Sequence, residues 1–250
     1  MKLPFREIWS VDFEFALEGG NPGGRPLPHT FVAIEMNTGR VIRLHGDGLR
    51  AREDWPLDVH RVDVVVLAYF ASADIGAAIA LGWSVPGRII DLYAEHSLLV
   101  NVEPKPEQRV RRNLLEACRA HGVDIDAVYR TDANSFKVDT RELALRGEPF
   151  TPEEAAILVR YCEADVRAVI ELVEHFPQLD CIEHALIRGQ YAAAVAGMEW
   201  VGIPIDTALW NRLAGRWHDI RETRIRRFEN ETRAGIFDDL GHFRRLRFEE

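Results

Sequence analysis

One segment, residues 62–68 (VDVVVLA), limits the folds open to this chain more than any other. A nearly continuous apolar run of this length is typical of a central strand that is covered on both faces. Further short segments are rich in β-branched and aromatic residues or alternate in polarity, and they also predict strands: residues 8–15, 30–36, 40–44 and 88–92. The sequence therefore predicts a mixed sheet flanked by helices.

The predicted helices fall mostly after the strands. Residues 73–81 are rich in alanine and predict one crossover helix directly after the apolar strand. The TPEE motif at residues 151–154 combines a capping threonine, a proline at the first helical position and a glutamate three residues after the cap. These signals predict a long helix from Thr151 to about His175.

The order of elements also predicts a division of the chain. Pro177 breaks the helical pattern, so we predict an α/β domain over residues 1–177 and an all-α extension over residues 178–250. Residues 212–250 interleave arginine with acidic residues, which favours a solvated helix with i,i+4 ion pairs over a nucleic-acid-binding patch.

Composition excludes several classes of protein. The net charge of -9 gives no overall positive field of the kind that histone-like binders use. The three cysteines show no paired CxxC spacing, so neither a disulfide framework nor a structural zinc site is expected. The sequence predicts no signal peptide and no membrane span, and we therefore expect a cytoplasmic protein.

The first predicted strand carries two acids on one face. Asp12 and Glu14 are two residues apart, and side chains at this spacing point to the same side of a strand. By itself this DxE pattern favours an ordinary half-exposed strand with its polar side in water. The DxE pattern indicates a functional site only in combination with acids elsewhere in the chain.

The long predicted helix supplies a further acid. Tyr161 and Asp165 are spaced i,i+4 and share one helix face, although a core tyrosine beside a surface acid would show the same spacing. Asp165 lies between two apolar residues, however, and a carboxylate near a buried stripe needs a partner. A divalent cation shared with Asp12 and Glu14 would satisfy all three carboxylates.

Two more acids follow predicted strands. Asp74 comes just after the apolar strand, where a carboxylate at the start of a helix is the simpler interpretation. Asp91 ends the strand at residues 88–92 and competes with Asp74 for a ligand position. We interpret Asp91 instead as a cap for a helix that begins near Leu92.

These motifs, taken in order, resemble a known superfamily. VDFEF, an acid after the next central strand and a YxxxD on a late helix are similar to the three motifs of the DEDD exonucleases, in the branch that carries the tyrosine. Residues 192–213 (AAAVAGMEWVGIPIDTALWNRL) resemble the segment that joins the proofreading exonuclease domain to the polymerase domain in family A DNA polymerases.

The resemblance implies a role for each acid and a fold. Asp12, Glu14 and Asp165 would hold a first Mg²⁺ or Mn²⁺ ion, with Asp12 bridging to a second. Asp74 would hold that second ion, largely through water, and Tyr161 would orient the attacking water. The implied fold is a ribonuclease-H-like mixed five-stranded sheet with helices on both sides, followed by helices that contain no polymerase palm or fingers.

The implied activity is removal of nucleoside 5′-monophosphates from DNA 3′ ends, with single strands preferred. A separate polymerase is the implied partner, and no membrane is involved. Two alternatives stay open: an RNA-trimming enzyme that resembles ribonuclease D, and a non-catalytic module that binds primer termini or a polymerase.

The chain departs from the superfamily pattern around its second motif. Tyr69 and Phe70 stand where His-Asn is usual, and Ala73 replaces the aromatic residue before Asp74. Phe13 and Phe15 are the sequence candidates for stacking on the bases of a single strand.

Overall fold

A computed structural model describes residues 3–21, 23–101, 112–176, 179, 181–238 and 240–248. The described residues form a five-stranded sheet in the order β3-β2-β1-β4-β5. The strands are β1 (Glu7–Leu17), β2 (Pro26–Glu35), β3 (Val41–His45), β4 (Val64–Ala68) and β5 (Ile89–Asp91).

The strand directions are mixed. The β1–β2 and β2–β3 pairs are antiparallel, whereas the β1–β4 and β4–β5 pairs are parallel. The long β1 therefore lies at the centre, and every residue of β4 is buried. This arrangement confirms the predicted α/β class with its mixed five-stranded sheet.

A helix follows each of β4 and β5, and helices dominate the second half of the chain. They are α1 (Asp47–Arg50), α2 (Ala71–Ala80), α3 (Leu92–Asn101), α4 (Leu114–Ala120), α5 (Ile125–Tyr129), α6 (Ala133–Arg146), α7 (Pro152–His175), α8 (Ile182–Val201), α9 (Thr207–Gly215), α10 (Trp217–Thr232) and α11 (Arg245–Phe248). The sequence predicted none of the helices α4–α6 individually.

The long helix α7 begins as predicted. The Thr151 side chain accepts a hydrogen bond from the Glu154 backbone N–H, and the Glu154 carboxylate accepts one from the Thr151 N–H. This reciprocal cap satisfies two backbone donors that a helix start would otherwise leave unpaired. α7 then packs across β1 and β2, so one face of the sheet is covered along its central strands.

The opposite face of the sheet is covered by α2 and α8. A cluster of aromatic rings fills this layer, and Phe13 from β1 lies within it, 4.6 Å from the Phe31 ring centroid. α8 approaches β5 closely at Gly189, where an added Cβ would lie 2.0 Å from the Ile89 carbonyl oxygen. Glycine is thus required at this helix–sheet contact.

The chain divides into two compact units, residues Met1–Gly202 and Ile203–Glu250. This division falls later than the boundary predicted at 177, because α8 packs against α2 and β5; Pro177 itself lies outside the described residues. The second unit is helical, as predicted, and α10 carries i,i+4 ion pairs such as Arg226–Glu222 on its solvated surface.

Across the part of the chain that the structure describes, no helix has the length and apolar character that a membrane span requires.

Candidate metal centre

The acidic face of β1 lies under α7 and is only partly exposed to water. The Ser10 hydroxyl donates a hydrogen bond to the Val166 carbonyl oxygen at 3.1 Å, and the Cys162 thiol donates to the Asp12 carbonyl oxygen at 3.2 Å. These two contacts fix α7 over the part of β1 that carries Asp12 and Glu14. Asp12 and Glu14 are therefore not the polar side of an ordinary solvent-facing strand.

Three carboxylates meet between β1 and α7. One oxygen from each of Asp12, Glu14 and Asp165 lies within 4.8 Å of the others. All three side chains are partly buried. Residues separated by about 150 positions thus form one acidic cluster, as the strand and helix patterns together predicted.

The cluster is electrostatically unfavourable by itself. Burial raises the pKa of Asp12 well above its usual value, and the negative charge of Asp165 raises it further. Burial and the charges of Asp12 and Asp165 likewise raise the pKa of Glu14 well above its usual value. Ionised carboxylates in this arrangement repel one another. A bound cation would offset this electrostatic repulsion.

The donor set fits a divalent cation. Asp12 Oδ2 is buried and has no hydrogen-bond partner among the described residues. An unpaired buried carboxylate oxygen is costly, and hard oxygen ligands are those that Mg²⁺ and Mn²⁺ prefer. The orphaned oxygen and the two neighbouring carboxylates therefore form a ligand set for such an ion.

Two tyrosines flank Asp165. The Tyr129 hydroxyl donates a hydrogen bond to Asp165 Oδ1. Burial is the main cause that raises the pKa of Asp165, while Lys137 and hydrogen bonding to Tyr129 and Tyr161 act in the opposite direction. Tyr161 is buried, and burial together with the charges of Asp165, Glu14 and Asp12 raises its own pKa. Tyr161 is therefore a neutral phenol beside all three carboxylates.

Asp74 lies next to this cluster but belongs to another element. It is buried in the first turn of α2, and its Oδ1 accepts a hydrogen bond from the Phe13 backbone N–H at 3.1 Å. Burial raises its pKa well above the usual value, and the charge of Asp12 adds to this. Among the residues with described positions, Asp74 is not part of the group whose oxygens lie within 4.8 Å.

Asp91 caps α3, as the sequence predicted. Its Oδ1 accepts hydrogen bonds from the backbone N–H groups of Tyr93 at 3.0 Å and Phe70 at 2.9 Å. The carboxylate is buried at the end of β5 and is occupied by these donors. Asp91 therefore serves as a helix cap and is not part of the acidic cluster on β1 and α7.

Two residues of the cluster were missed from the sequence. Tyr129 reaches Asp165 from α5, and Lys137 on α6 carries a positive charge that lowers the pKa of Asp12, Glu14 and Asp165. Both come from short helices whose position depends on tertiary packing, so no local motif marks them. Lys137 forms no ion pair within 4.0 Å in the described parts of the chain.

The prediction that Phe13 stacks on a base is wrong. Phe13 is 4% exposed and packs in the aromatic layer beneath α2, so it cannot meet a base. A register shift between Glu14 and Phe15 interrupts the alternation along β1, and Phe15 is only half-buried. Phe15 packs at the edge of the same apolar layer that contains Phe13, so the two phenylalanines differ in exposure and not in the face that they occupy.

Solved structures that are similar to this chain include the following two. One, described as the apo form of the nuclease, has a TM-score of 0.49 at 16% identity and covers 79% of this chain and 86% of its own. The other is Escherichia coli RNase D, described as an exoribonuclease involved in structured RNA processing, with a TM-score of 0.44 at 12% identity over 84% of this chain. This chain covers 49% of that RNase D chain.

No protein-family model and no curated protein matches the sequence. The two structural similarities fall below a TM-score of 0.5, so the case for a function depends on the carboxylate cluster itself.

Proposed function

We propose that this chain is a metal-dependent 3′-to-5′ exonuclease that releases nucleoside 5′-monophosphates from polynucleotide 3′ ends. One observation carries the proposal: Asp12, Glu14 and Asp165 each place an oxygen within 4.8 Å of the others, and Asp12 Oδ2 is buried with no partner in the described structure. Four nearby acids, including Asp74, are the donor set that paired divalent ions use in phosphodiester hydrolysis.

The acids divide into two groups in this proposal. Asp12, Glu14 and Asp165 would hold one divalent ion, and Asp74, which lies next to them, would help to hold a second. Bound Mg²⁺ or Mn²⁺ supplies a nucleophilic water at neutral pH and offsets the charge that develops on the phosphate and on the departing 3′-oxygen. The side chains contribute position, because β1 and α7 hold them on a rigid frame.

Tyr161 orients water in this proposal and does not act as a base. Its pKa is raised by burial and by the neighbouring carboxylates, so the phenol keeps its proton at pH 7. A neutral hydroxyl can donate one hydrogen bond and accept another, which suits it to fix the direction of a water near Asp165.

The cluster opens into a groove suited to an anionic strand. Asp12 and Asp165 line this groove together with Lys137 and Arg112. The two cations supply positive charge beside the carboxylates in a chain whose net charge is -9. This local balance supports a polynucleotide end as substrate, with phosphate near the cations and the scissile bond at the acids.

The decisive experiment measures digestion of a 5′-labelled single strand with and without Mg²⁺. We expect a ladder that shortens from the 3′ end, and Asp12→Asn and Asp165→Asn should each abolish it. Asp139→Asn is the matched control, because Asp139 is an exposed acid on α6. Full digestion by either site variant would refute the assignment, as would internal cutting of a strand blocked at its 3′ terminus.

Calorimetry with Mn²⁺ tests the non-catalytic alternative. Binding that disappears in Asp165→Asn supports the metal site. A folded wild-type protein that binds no Mn²⁺ would favour a module that only holds primer termini or a polymerase.

We propose DNA as the substrate, with a separate polymerase as a candidate partner, on the resemblance of residues 192–213 to the polymerase-linked exonucleases. Digestion of DNA and RNA strands of equal sequence tests this choice, because discrimination depends on contacts to the 2′-hydroxyl. Faster digestion of RNA would favour the alternative that resembles ribonuclease D.

A further inference from the structure

Phe70 has an unusual backbone conformation for a bulky residue. It lies between β4 and α2 with φ at +70°, in the left-handed region that favours glycine and asparagine. Its N–H donates to Asp91 Oδ1 at 2.9 Å, which holds the backbone in this turn. Glycine or asparagine would make the same turn with less strain, so the phenylalanine ring needs another explanation.

Core packing does not supply that explanation. The Phe70 side chain is 47% exposed, unlike Phe13 and Phe31 in the aromatic layer. Its ring is nevertheless held in place, because it packs edge-on against Tyr93 with the centroids 4.9 Å apart at 81°. Phe70 therefore presents a fixed aromatic surface to solvent.

That surface borders the groove of the acidic cluster. The groove has a volume of about 480 Å³, and Phe70 lines it with Tyr69, Tyr93, Lys137, Asp12 and Asp165. The Tyr69 hydroxyl donates to the Arg112 carbonyl oxygen at 2.6 Å, so the second aromatic of this wall is also anchored.

Phe70 lines a second groove as well. This groove has a volume of about 440 Å³, and its other side chains include Phe15, Arg25, Ser72, Glu199 and Trp200. The Arg25 guanidinium lies over the Trp200 ring, 4.4 Å from its centroid. An aromatic ring with an arginine stacked on it is a surface that nucleobases and phosphates both bind well.

We propose that the Phe70 ring stacks on a nucleobase at the 3′ end of the substrate and so separates the terminal nucleotide from the next one. The inference rests on the proposed function and deepens it. The terminal phosphodiester lies at Asp12 and Asp165 in the first groove, and the strand continues past Phe70 toward Arg25 in the second. Every base has a π face, so this contact selects an unpaired end and not a sequence.

The test measures binding without hydrolysis. A single-stranded DNA 12-mer with 2-aminopurine as its 3′-terminal base is titrated with wild-type protein in Ca²⁺, and a rise in its fluorescence reports that this base has separated from the neighbouring base. We expect this rise with wild-type protein, and Phe70→Trp should bind the strand as tightly as wild type. Phe70→Gly should bind roughly ten- to hundredfold more weakly without the rise, since one base–aromatic stack contributes an affinity of this order.

Folding is controlled within the same set of variants. Glycine relieves the positive φ, so the Tm of Phe70→Gly should equal or exceed that of wild type. Tyr191→Ala removes an exposed aromatic from α8, 68% exposed, and should bind as wild type. A strand whose terminal base is missing should lose affinity for wild type but not for Phe70→Gly.

Unchanged binding by Phe70→Gly, or wild-type binding without the rise in fluorescence, would overturn the inference while the exonuclease proposal stood. Failure of the wild type to bind the strand would also overturn it. Normal stacking with no hydrolysis in Mg²⁺ would instead contradict the proposed function and leave the Phe70 contact intact.

Discussion

Replacing Asp12 by asparagine should stabilise the metal-free protein while it abolishes activity. Asp12, Glu14 and Asp165 each place an oxygen within 4.8 Å of the others. Two unit charges at that separation repel by about 1 kcal/mol in water and by about 3.5 kcal/mol at an effective dielectric constant of ~20. Because the three side chains are partly exposed, we expect a net gain of about 1 to 3 kcal/mol from Asp12→Asn.

The assay is thermal unfolding in EDTA and in Mg²⁺. For a chain of this size, 1 kcal/mol shifts Tm by about 2 to 4 °C, so Asp12→Asn should raise Tm in EDTA by about 2 to 12 °C. Mg²⁺ at a hundred times its Kd should stabilise wild type by about 2.7 kcal/mol and the variant much less. Asp139→Asn should change neither measurement.

The same variant has a predicted dependence on pH. The folded protein raises the pKa of Asp12, Glu14 and Asp74, so between the unfolded and folded pKa values the folded state binds more protons than the unfolded state. Stability of the metal-free wild type should therefore fall as pH rises above about 4, the unfolded value of a carboxyl group. The advantage of Asp12→Asn should grow with pH and vanish near pH 4.

Two outcomes would refute this electrostatic account. One is a lower Tm for Asp12→Asn in EDTA at pH 7.5, which would mean that Asp12 stabilises the fold. The other is an Mg²⁺-induced rise in Tm that Asp12→Asn retains in full, which would place the ion elsewhere.

Three further predictions concern single residues. Tyr161→Phe should lower kcat by at least about tenfold while calorimetry shows unchanged Mn²⁺ affinity; unchanged kcat would remove its role in orienting water. Tyr129→Phe removes a donor to Asp165 and should weaken Mn²⁺ binding by about tenfold in the same titration, and equal affinity would show that Asp165 is held without it. Gly189→Ala should lower Tm by about 2 to 12 °C, because the new Cβ would meet the Ile89 carbonyl oxygen at 2.0 Å. Gly197→Ala, on the same helix with nothing within 4 Å, should be neutral or stabilising, and equal losses from both would contradict the packing explanation.

Elements with local signals were predicted well from the sequence. The apolar run that became β4 and the capping motif that begins α7 at Pro152 each carry their own physical cause, burial in one case and satisfied backbone donors in the other. Asp91 as a cap for α3 was confirmed for the same reason. The mixed sheet followed from the order of these elements.

Features that depend on tertiary packing were not predicted. The bulge after Glu14 shifts the pairing of β1 with β2, and no residue there marks it. Tyr129 contacts Asp165 from α5, and Lys137 on α6 lies near enough to lower the pKa of the acids, but neither helix carries a local motif that specifies this neighbour. The metal-binding roles of Asp12, Glu14, Asp74 and Asp165 and the part of Tyr161 remain predictions.

Three unfavourable features of this protein occur in one place. Asp12 Oδ2 is buried without a partner in the described structure, three acids crowd within 4.8 Å, and Phe70 adopts a backbone conformation that costs a bulky residue energy. All three adjoin one groove, since Asp12, Asp165 and Phe70 line it together. A divalent ion would bind the unpaired oxygen and offset the repulsion among the acids. A base stacked on the Phe70 ring would explain why a phenylalanine occupies that backbone position. These three energetically unfavourable features lie at one groove, and one metal-bound substrate would offset all of them. Ligand binding at this groove therefore explains them better than three unrelated packing defects would.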